Sequence, residues 1–356
     1  MQDFLRFRAR SILPLLATAV LVAIGFHLGL VSSADASLIG LLGITMSSAG
    51  ARVIDPVLTT VAQGYQNPEF VGGRLFPVVP VGQRGGKIIT FGKEDFALYA
   101  TGRAPGTNTK RVQYGYSGSS YALEQHALEG MVPYEFMDEA ATTMPGIDLG
   151  SAAIRKVQNI IALRLEIAQA ALATTAANYA AANKVTLSGT SQWSDYTTGV
   201  SDPAAVVETG KEAIRAATGK RPNVAVVGPL VWSKLRNHPK LTDRIKYTGR
   251  DGLTTQMVAE LFGVQELWVG DAIYDASGTF ADVWGKFVVL AHTALAGVAE
   301  MGTPSFGYTY RLNGYPAVEQ PYNDRNAKSW IYPVTDEVAP VIAGASAGYL
   351  ISAAVA

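Results

Sequence analysis

The chain has 356 residues, 48% of them apolar and only 16% charged, which is enough to build a sizeable core and excludes an intrinsically disordered chain. Its 29 basic residues balance 29 acidic ones, so the cationic excess that sequence-independent DNA binding requires is missing, and a chain this weakly charged suits a subunit that buries surface in an assembly. With no cysteine, disulfides, thiol catalysis and Cys-based zinc sites are excluded outright.

Residues 1–36 read differently from the rest. Arg6, Arg8 and Arg10 precede an apolar run from Ile12 to Leu30, broken by Pro14, Gly25 and Gly29. Ala34-Asp35-Ala36 then resembles a signal-peptidase site. A secretory signal or membrane anchor, a processed scaffold-like leader, and a mis-assigned start with translation opening at Met46 all fit this segment.

Residues 50–82 are extended and punctuated by Pro56, Pro68, Pro77 and Pro80, each of which holds its predecessor in extended geometry. Leu58, Val61, Phe70, Leu75, Phe76 and Val78 supply apolar anchors, so the stretch reads as an arm lying on another surface or as a loop-rich edge of the main core. Residues 86–124 read as a long hairpin. Its strands are Lys87–Phe91 and Arg111–Glu124, and its polar tip runs from Thr101 to Lys110. Such a tip has too few apolar residues to pack down, so it either reaches a neighbour or stays a surface loop.

From 148 to 179, Ile154, Val157, Ile161, Leu165, Ala168 and Leu172 recur at steps of three and four, predicting a helix capped by Asp148 or Ser151. At 1.5 Å per residue it would be about 45 Å long, a spine that needs backing along its length. A Ser/Thr/Gly-rich connection at 184–200 leads to a helix capped by Asp202, with Pro203 first and Gly219 past its end. Asn223–Gly228 reads as a buried strand. Pro229 opens a helix stopped at His238-Pro239, and Thr254 or Thr255 caps another that Gly263 ends. Strands at Glu266–Val269 and Trp284–Leu290 complete a compact α/β layer. The tail returns to strands at Tyr308–Leu312 and Ser329–Val334, with a turn at Asn313-Gly314.

Catalytic constellations fail one by one. Gly82–Ile88 superficially suggests a phosphate loop, but Val81 stands where the first glycine should, and Lys87 enters a strand rather than a helix. The four histidines, His27, His126, His238 and His292, show no metal-binding spacing. His238 reads as a helix-end residue and His126 as partnered by Glu124 on one strand face. No G-x-S-x-G elbow occurs. Asp138-Glu139 and Asp336-Glu337 are adjacent carboxylates that diverge on any regular element. Asp271 and Asp275 read as a surface turn, with a cation site as the alternative, and Tyr322–Asn326 as a polar cluster between strands that either ties backbone groups at a subunit junction or is a solvated loop. Enzymatic activity, a cofactor, a metal site and a small-molecule substrate are therefore not expected.

The order of arm, hairpin, spine helix, α/β centre and returning strands resembles that of the major capsid proteins of tailed bacteriophages, the Hong Kong 97-type fold. The run from Asn223 to Pro239 resembles the strand–helix unit of their axial domain, and Leu261–Val264 with Trp268–Asp271 resembles its sequel. Tyr315–Tyr322 through Ile331–Val334 is similar to the returning strands of their peripheral domain. The resemblance covers residues 46–356 and implies an α+β chain. It divides into an arm (46–82), an E-loop hairpin (83–129), a peripheral domain with the spine (130–200), an axial domain (201–300), returning peripheral strands (301–335) and a C-terminal return to the axial domain (336–356). Residues 1–45 depart from it, because cleaved capsid leaders are typically charged and helical; the start at Met46 is the preferred account.

The resemblance implies assembly with other copies into hexamers and pentamers of an icosahedral head, in a virion assembled in the host bacterial cytoplasm. The shell would enclose double-stranded DNA without reading its sequence, with portal, scaffold or decoration proteins as further partners. It places inter-subunit contacts at the hairpin tip, on Arg103, Pro105, Asn108 and Lys110. An encapsulin compartment shares this fold and is the nearest alternative. A secreted or membrane-anchored β-rich binding protein is a further one.

Overall fold

The computed structural model describes residues 70–87, 101–103, 108–109, 111, 120–143, 148–197, 199–245, 253–294 and 305–356. A single helical turn, α1 (Gly72–Leu75), leads into β1 (Val78–Val81), and Gly82–Arg84 bend the chain out into β2 (Gly85–Lys87). β3 (Ser120–Ala122) returns antiparallel to β2, with Gly86 opposite Tyr121. Next come β4 (Glu124–Pro133), α2 (Tyr134–Thr143) and the spine helix α3 (Leu149–Thr174). The central third runs β5 (Lys184–Thr186), α4 (Pro203–Thr218), β6 (Val224–Val227), α5 (Pro229–Leu235), α6 (Pro239–Ile245), α7 (Thr255–Phe262) and β7 (Glu266–Val269). A small hairpin, β8 (Ile273–Asp275) and β9 (Phe280–Asp282), precedes β10 (Val288–Ala291). The tail supplies β11 (Gly307–Leu312), β12 (Ala317–Val318), β13 (Tyr322–Asp324), β14 (Ser329–Ile342) and β15 (Gly348–Ser352).

Two sheets carry these elements. The first has five strands in the order β5-β15-β10-β6-β7. Its central strands, Val-Ala-Val-Val and Val-Val-Leu-Ala, are buried at every residue, the pattern of a sheet covered on both faces. One face packs on Val207 and Ile214 of α4, Val231 and Leu235 of α5, and Val258 and Phe262 of α7. The opposite face, with Val224, Val226, Val289 and Leu350, meets Leu75, Phe76, Ala170 and Ala173. The second sheet is organised on the 14-residue β14. β4 pairs along one side of it for ten residues, β11, β12 and β13 share the other side, and β1 adds parallel to β11.

The spine helix belongs to both sheets. Its 26 residues span about 39 Å. Ile154, Val157 and Ile161 in its first half pack on Val132, Tyr332 and Val334 of the six-stranded sheet. Ala170 and Ala173 in its second half reach the five-stranded one, where small side chains let the backbone come close. Asp148 caps it as the spacing predicts, accepting from the Gly150 N–H at 3.0 Å and from the Ser151 hydroxyl. That Ser151 bond, above all, holds the Asp148 carboxyl below the usual carboxylate range.

Most local signals act where they stand. Asp202 accepts from the Ala205 N–H, Pro203 opens α4, and Gly219 ends it at φ +69°. Thr254 accepts from the Met257 N–H, and Gly263 ends α7 at φ +65°. Several elements depart from the expected ranges. The spine stops at Thr174, where Thr175 turns extended and a 3-10 turn, Ala176–Asn178, follows. The strand expected at 284–290 begins only at Val288, and Trp284 instead fills the core beside Gly270. The strand from Ser329 continues to Ile342, so the return to the five-stranded sheet comes at β15. α2 and α6 were not expected from periodicity. Of the expected arm, 50–69 lies outside the described residues, and its last part is integral: α1 and β1 join the main body, with Leu75 and Phe76 fully buried.

Candidate functional site

β2 and β3 form a two-stranded ribbon of their own, the root of the expected hairpin, and this root is held by polar chemistry. The chain leaves the six-stranded sheet through Gly82–Arg84 and re-enters through Leu123, whose N–H donates to the Arg84 carbonyl at 2.8 Å. The Arg84 guanidinium reaches across to β14. Nε donates to Oε2 of Glu337 and Nη2 to Oε1, both at 2.8 Å. Glu337 is 1% exposed and Arg84 is half exposed, so the pair runs from the surface into the sheet. The Glu337 bond and its charge, reinforced by Tyr315, push the Arg84 pKa still higher. Tyr121 of β3 stacks on Tyr310 of β11 with ring centroids 4.3 Å apart. Glu337 neighbours Asp336, which turns to the other face and takes Arg311 Nη2 at 3.0 Å. Burial pushes the Asp336 carboxyl up, with Arg311 opposing. The adjacent carboxylates diverge as expected, but each meets an arginine from a different segment.

Beneath this root lies a cavity of about 300 Å³, lined by Tyr121, Glu124, His126, Arg164, Leu165 and Ala168 among others. Glu124 and His126 thus share a wall, as strand alternation requires.

A second polar junction lies where the two sheets meet the spine. Glu166 is buried and accepts from the N–H groups of Val71 and Gly72 at 2.9–3.0 Å and from Trp284 Nε1 at 2.7 Å. One turn on, Gln169 donates to the Thr309 hydroxyl at 2.8 Å, which donates in turn to the Phe76 carbonyl. A Cβ at position 72 would stand 2.2 Å from Gln169 Oε1, so only glycine lets the chain come this close. Burial raises the Glu166 pKa, and the Trp284, Gly72 and Val71 donors oppose it. Sequence reading placed Leu165, Ala168 and Leu172 on the core stripe and passed over Glu166 and Gln169. The helix changes partner from one sheet to the other midway, so its buried band wraps around the axis. Two polar residues three apart in the otherwise apolar stretch 165–173 were the available signal.

Apolar side chains are exposed beside the spine's start. Met131 (59% exposed) and Phe136 (60%) rim a groove of about 610 Å³ with Pro133, Leu149 and Ala153. Phe280 (77%) and Ile273 stand out on the β8–β9 hairpin. Patches of this kind mark surfaces that a partner covers.

Of the expected tip contacts, Arg103 and Asn108 are described and exposed, while Pro105 and Lys110 lie outside the described residues, as do residues 1–69. His238 is buried rather than a side-chain cap: its Nε2 stands 3.1 Å from the Ser201 hydroxyl, and burial lowers its pKa. Asp275 accepts from the Gly278 N–H within a turn, and Asp324 from Asn326 and Ala327. Among the described residues, no cluster of His, Asp and Glu could hold a metal, and no helix is long and apolar enough to cross a membrane.

A pinned two-stranded root and an uncovered apolar groove suit a subunit that meets neighbours, and the comparisons give its class. The family model "Phage major capsid protein E" matches residues 172–316. The major capsid protein of Burkholderia phage BcepMu is 40% identical over 306 residues, which cover 85% of this chain and 96% of that protein. The crystal structure of a phage-related protein from Bordetella bronchiseptica RB50 is 46% identical, with a TM-score of 0.73 over 85% of this chain and 98% of that one. The capsid structure of cyanophage P-SCSP1u, 11% identical, shares the fold at a TM-score of 0.50, over 78% and 86% of the two chains. The chain belongs to the phage major capsid protein family, and its fold is the Hong Kong 97-type capsid fold. It is a structural protein of the virion shell that self-assembles. Relatedness to phage capsid proteins favours that reading over an encapsulin.

Proposed function

We propose that copies of this chain form hexamers and pentamers that close into an icosahedral head around double-stranded DNA. In this reading the five-stranded unit packs about each local axis. The hairpin of 86–124 lies over an adjacent subunit through Arg103, Pro105, Asn108 and Lys110, and the arm adds a further contact. Several modest interfaces of this kind make a closed shell far more stable than any pair. The balance of 29 basic against 29 acidic residues suits a wall that holds packed DNA without gripping it. Assembly takes place in the host cytoplasm, with portal, scaffold or decoration proteins as partners, and the subunit performs no catalysis.

The observation that carries this reading is the pinned root of the hairpin at one end of β4, together with exposed Met131 and Phe136 at its other end. Expression of the full chain followed by electron microscopy tests it. Closed particles with five- and six-fold capsomers are the expected result. A chain that stays monomeric at high concentration would overturn it.

A further inference from the structure

We propose that Arg84 is a positioning residue for shell assembly, and that its two-point bond to Glu337 sets the direction in which the hairpin leaves the subunit. This rests on the reading of residues 86–124 as a hairpin that lies over a neighbour.

Arg84 stands where the chain leaves the six-stranded sheet, and its acceptor lies in the strand on which that sheet is organised. An ion pair taken out of water stabilises a fold little better than an apolar pair of the same size. What a forked guanidinium–carboxylate contact adds is orientation, because two parallel bonds fix both a distance and a plane. The Leu123 N–H bond to the Arg84 carbonyl joins the outgoing strand to the returning one, so turning one turns both. Tyr121 on Tyr310 provides a second stop on the return strand.

The leverage is large. Residues 88–119 separate β2 from β3. Those 32 residues all lie beyond the root, so a change in the direction of β2 and β3 is passed on to the whole of the segment that carries Arg103, Pro105, Asn108 and Lys110. Assembly depends on that tip meeting the neighbour, and a site held even about 1 Å too loosely fails.

Removing Arg84 alone would strand a buried carboxylate, so two milder changes are used. R84K keeps the charge and loses the fork. The double change R84Q/E337Q keeps a hydrogen-bonded pair and removes both charges. The chain has no cysteine, so spin labels at Asn108→Cys and Arg325→Cys report tip-to-body distances in the unassembled subunit. Both variants should fold and melt within about 3 °C of the parent. Their distance distributions should be about twice as wide, and the yield of closed shells should fall about tenfold. An unchanged distribution, or shells formed at parental yield, would overturn the proposal. So would a loss of shells that merely follows a lowered melting point.

A third chain, with residues 88–119 replaced by an Asn-Gly turn, separates the two levels. If it still forms normal shells, the underlying hairpin reading fails. If it forms none while R84K and R84Q/E337Q assemble as the parent does, only the role of Arg84 fails.

Discussion

The two sheets meet the same demand for burial with different mixtures of apolar and polar chemistry. In the five-stranded sheet, β6 and β10 are wholly apolar and wholly buried. In the six-stranded sheet, β14 buries Ser329, Thr335, Asp336 and Glu337, and arginines from elsewhere hold its two carboxylates. Apolar contact is strong but has no preferred direction, whereas forked and charged hydrogen bonds fix angles. The five-stranded sheet thus coheres through apolar contact, whereas the six-stranded sheet adds directed polar bonds to its own apolar packing on the spine. The exposed Met131, Phe136 and Trp330 lie on or beside the second.

The sharpest break of this comparison is a cavity in the cohesive sheet. Leu290 is fully buried among Val227, Ile214 and Tyr349, so L290A should cost about 2–5 kcal/mol of subunit stability. Denaturant unfolding measures this, and a loss under about 1 kcal/mol would show that the sheet is not the source of cohesion.

The junction between the sheets comes next. E166A leaves the N–H groups of Val71, Gly72 and Trp284 without their acceptor and should cost about 3 kcal/mol. The gentler E166Q reads the titration. Burial holds the Glu166 carboxyl above its ordinary range, so the folded chain keeps that proton to higher pH than the unfolded one. Stability from this group is thus complete below the ordinary glutamate value of about 4.3 and declines as pH climbs through the raised one. Unfolding midpoints of parent and E166Q, compared from about pH 4 to pH 8, should therefore converge as pH rises. A constant difference would mean that Glu166 titrates as it does in the unfolded chain.

The smallest effect on the subunit is expected in the groove. F136S and M131S remove exposed side chains and should shift subunit stability by under about 0.5 kcal/mol. Particle yield should nonetheless fall, because the groove is left without its apolar rim. Full yield of shells from both variants would remove the groove from the assembly surface.

The apolar half of this design was far more legible in the sequence than the polar half. Asp202-Pro203 with Gly219, and Thr254 with Gly263, are caps whose partners lie within a turn, so local pattern suffices. The four-residue apolar run at Val224 reads as a buried strand for the same reason. Pro239 was read as a stop, and it is also the first residue of the next helix, a double role that one proline supports. The later part of β14 was missed because Asp336 and Glu337 argue against a buried strand. Their justification lies in Arg311 and in Arg84, 253 residues upstream of Glu337. Glu166 was passed over likewise, since the groups that use it, at Val71, Gly72 and Trp284, are remote in sequence.

The span between Arg84 and Glu337 also has a temporal meaning. At translation rates of about 5–20 residues per second, about 13–50 s pass between the synthesis of the two. β15, which sits between β5 and β10, emerges later still. A nascent chain released before residue 329 lacks both the strand that anchors the projection and the one that closes the apolar sheet. Interrupted translation products of that kind carry neither a completed body nor a directed projection with which to enter a growing particle.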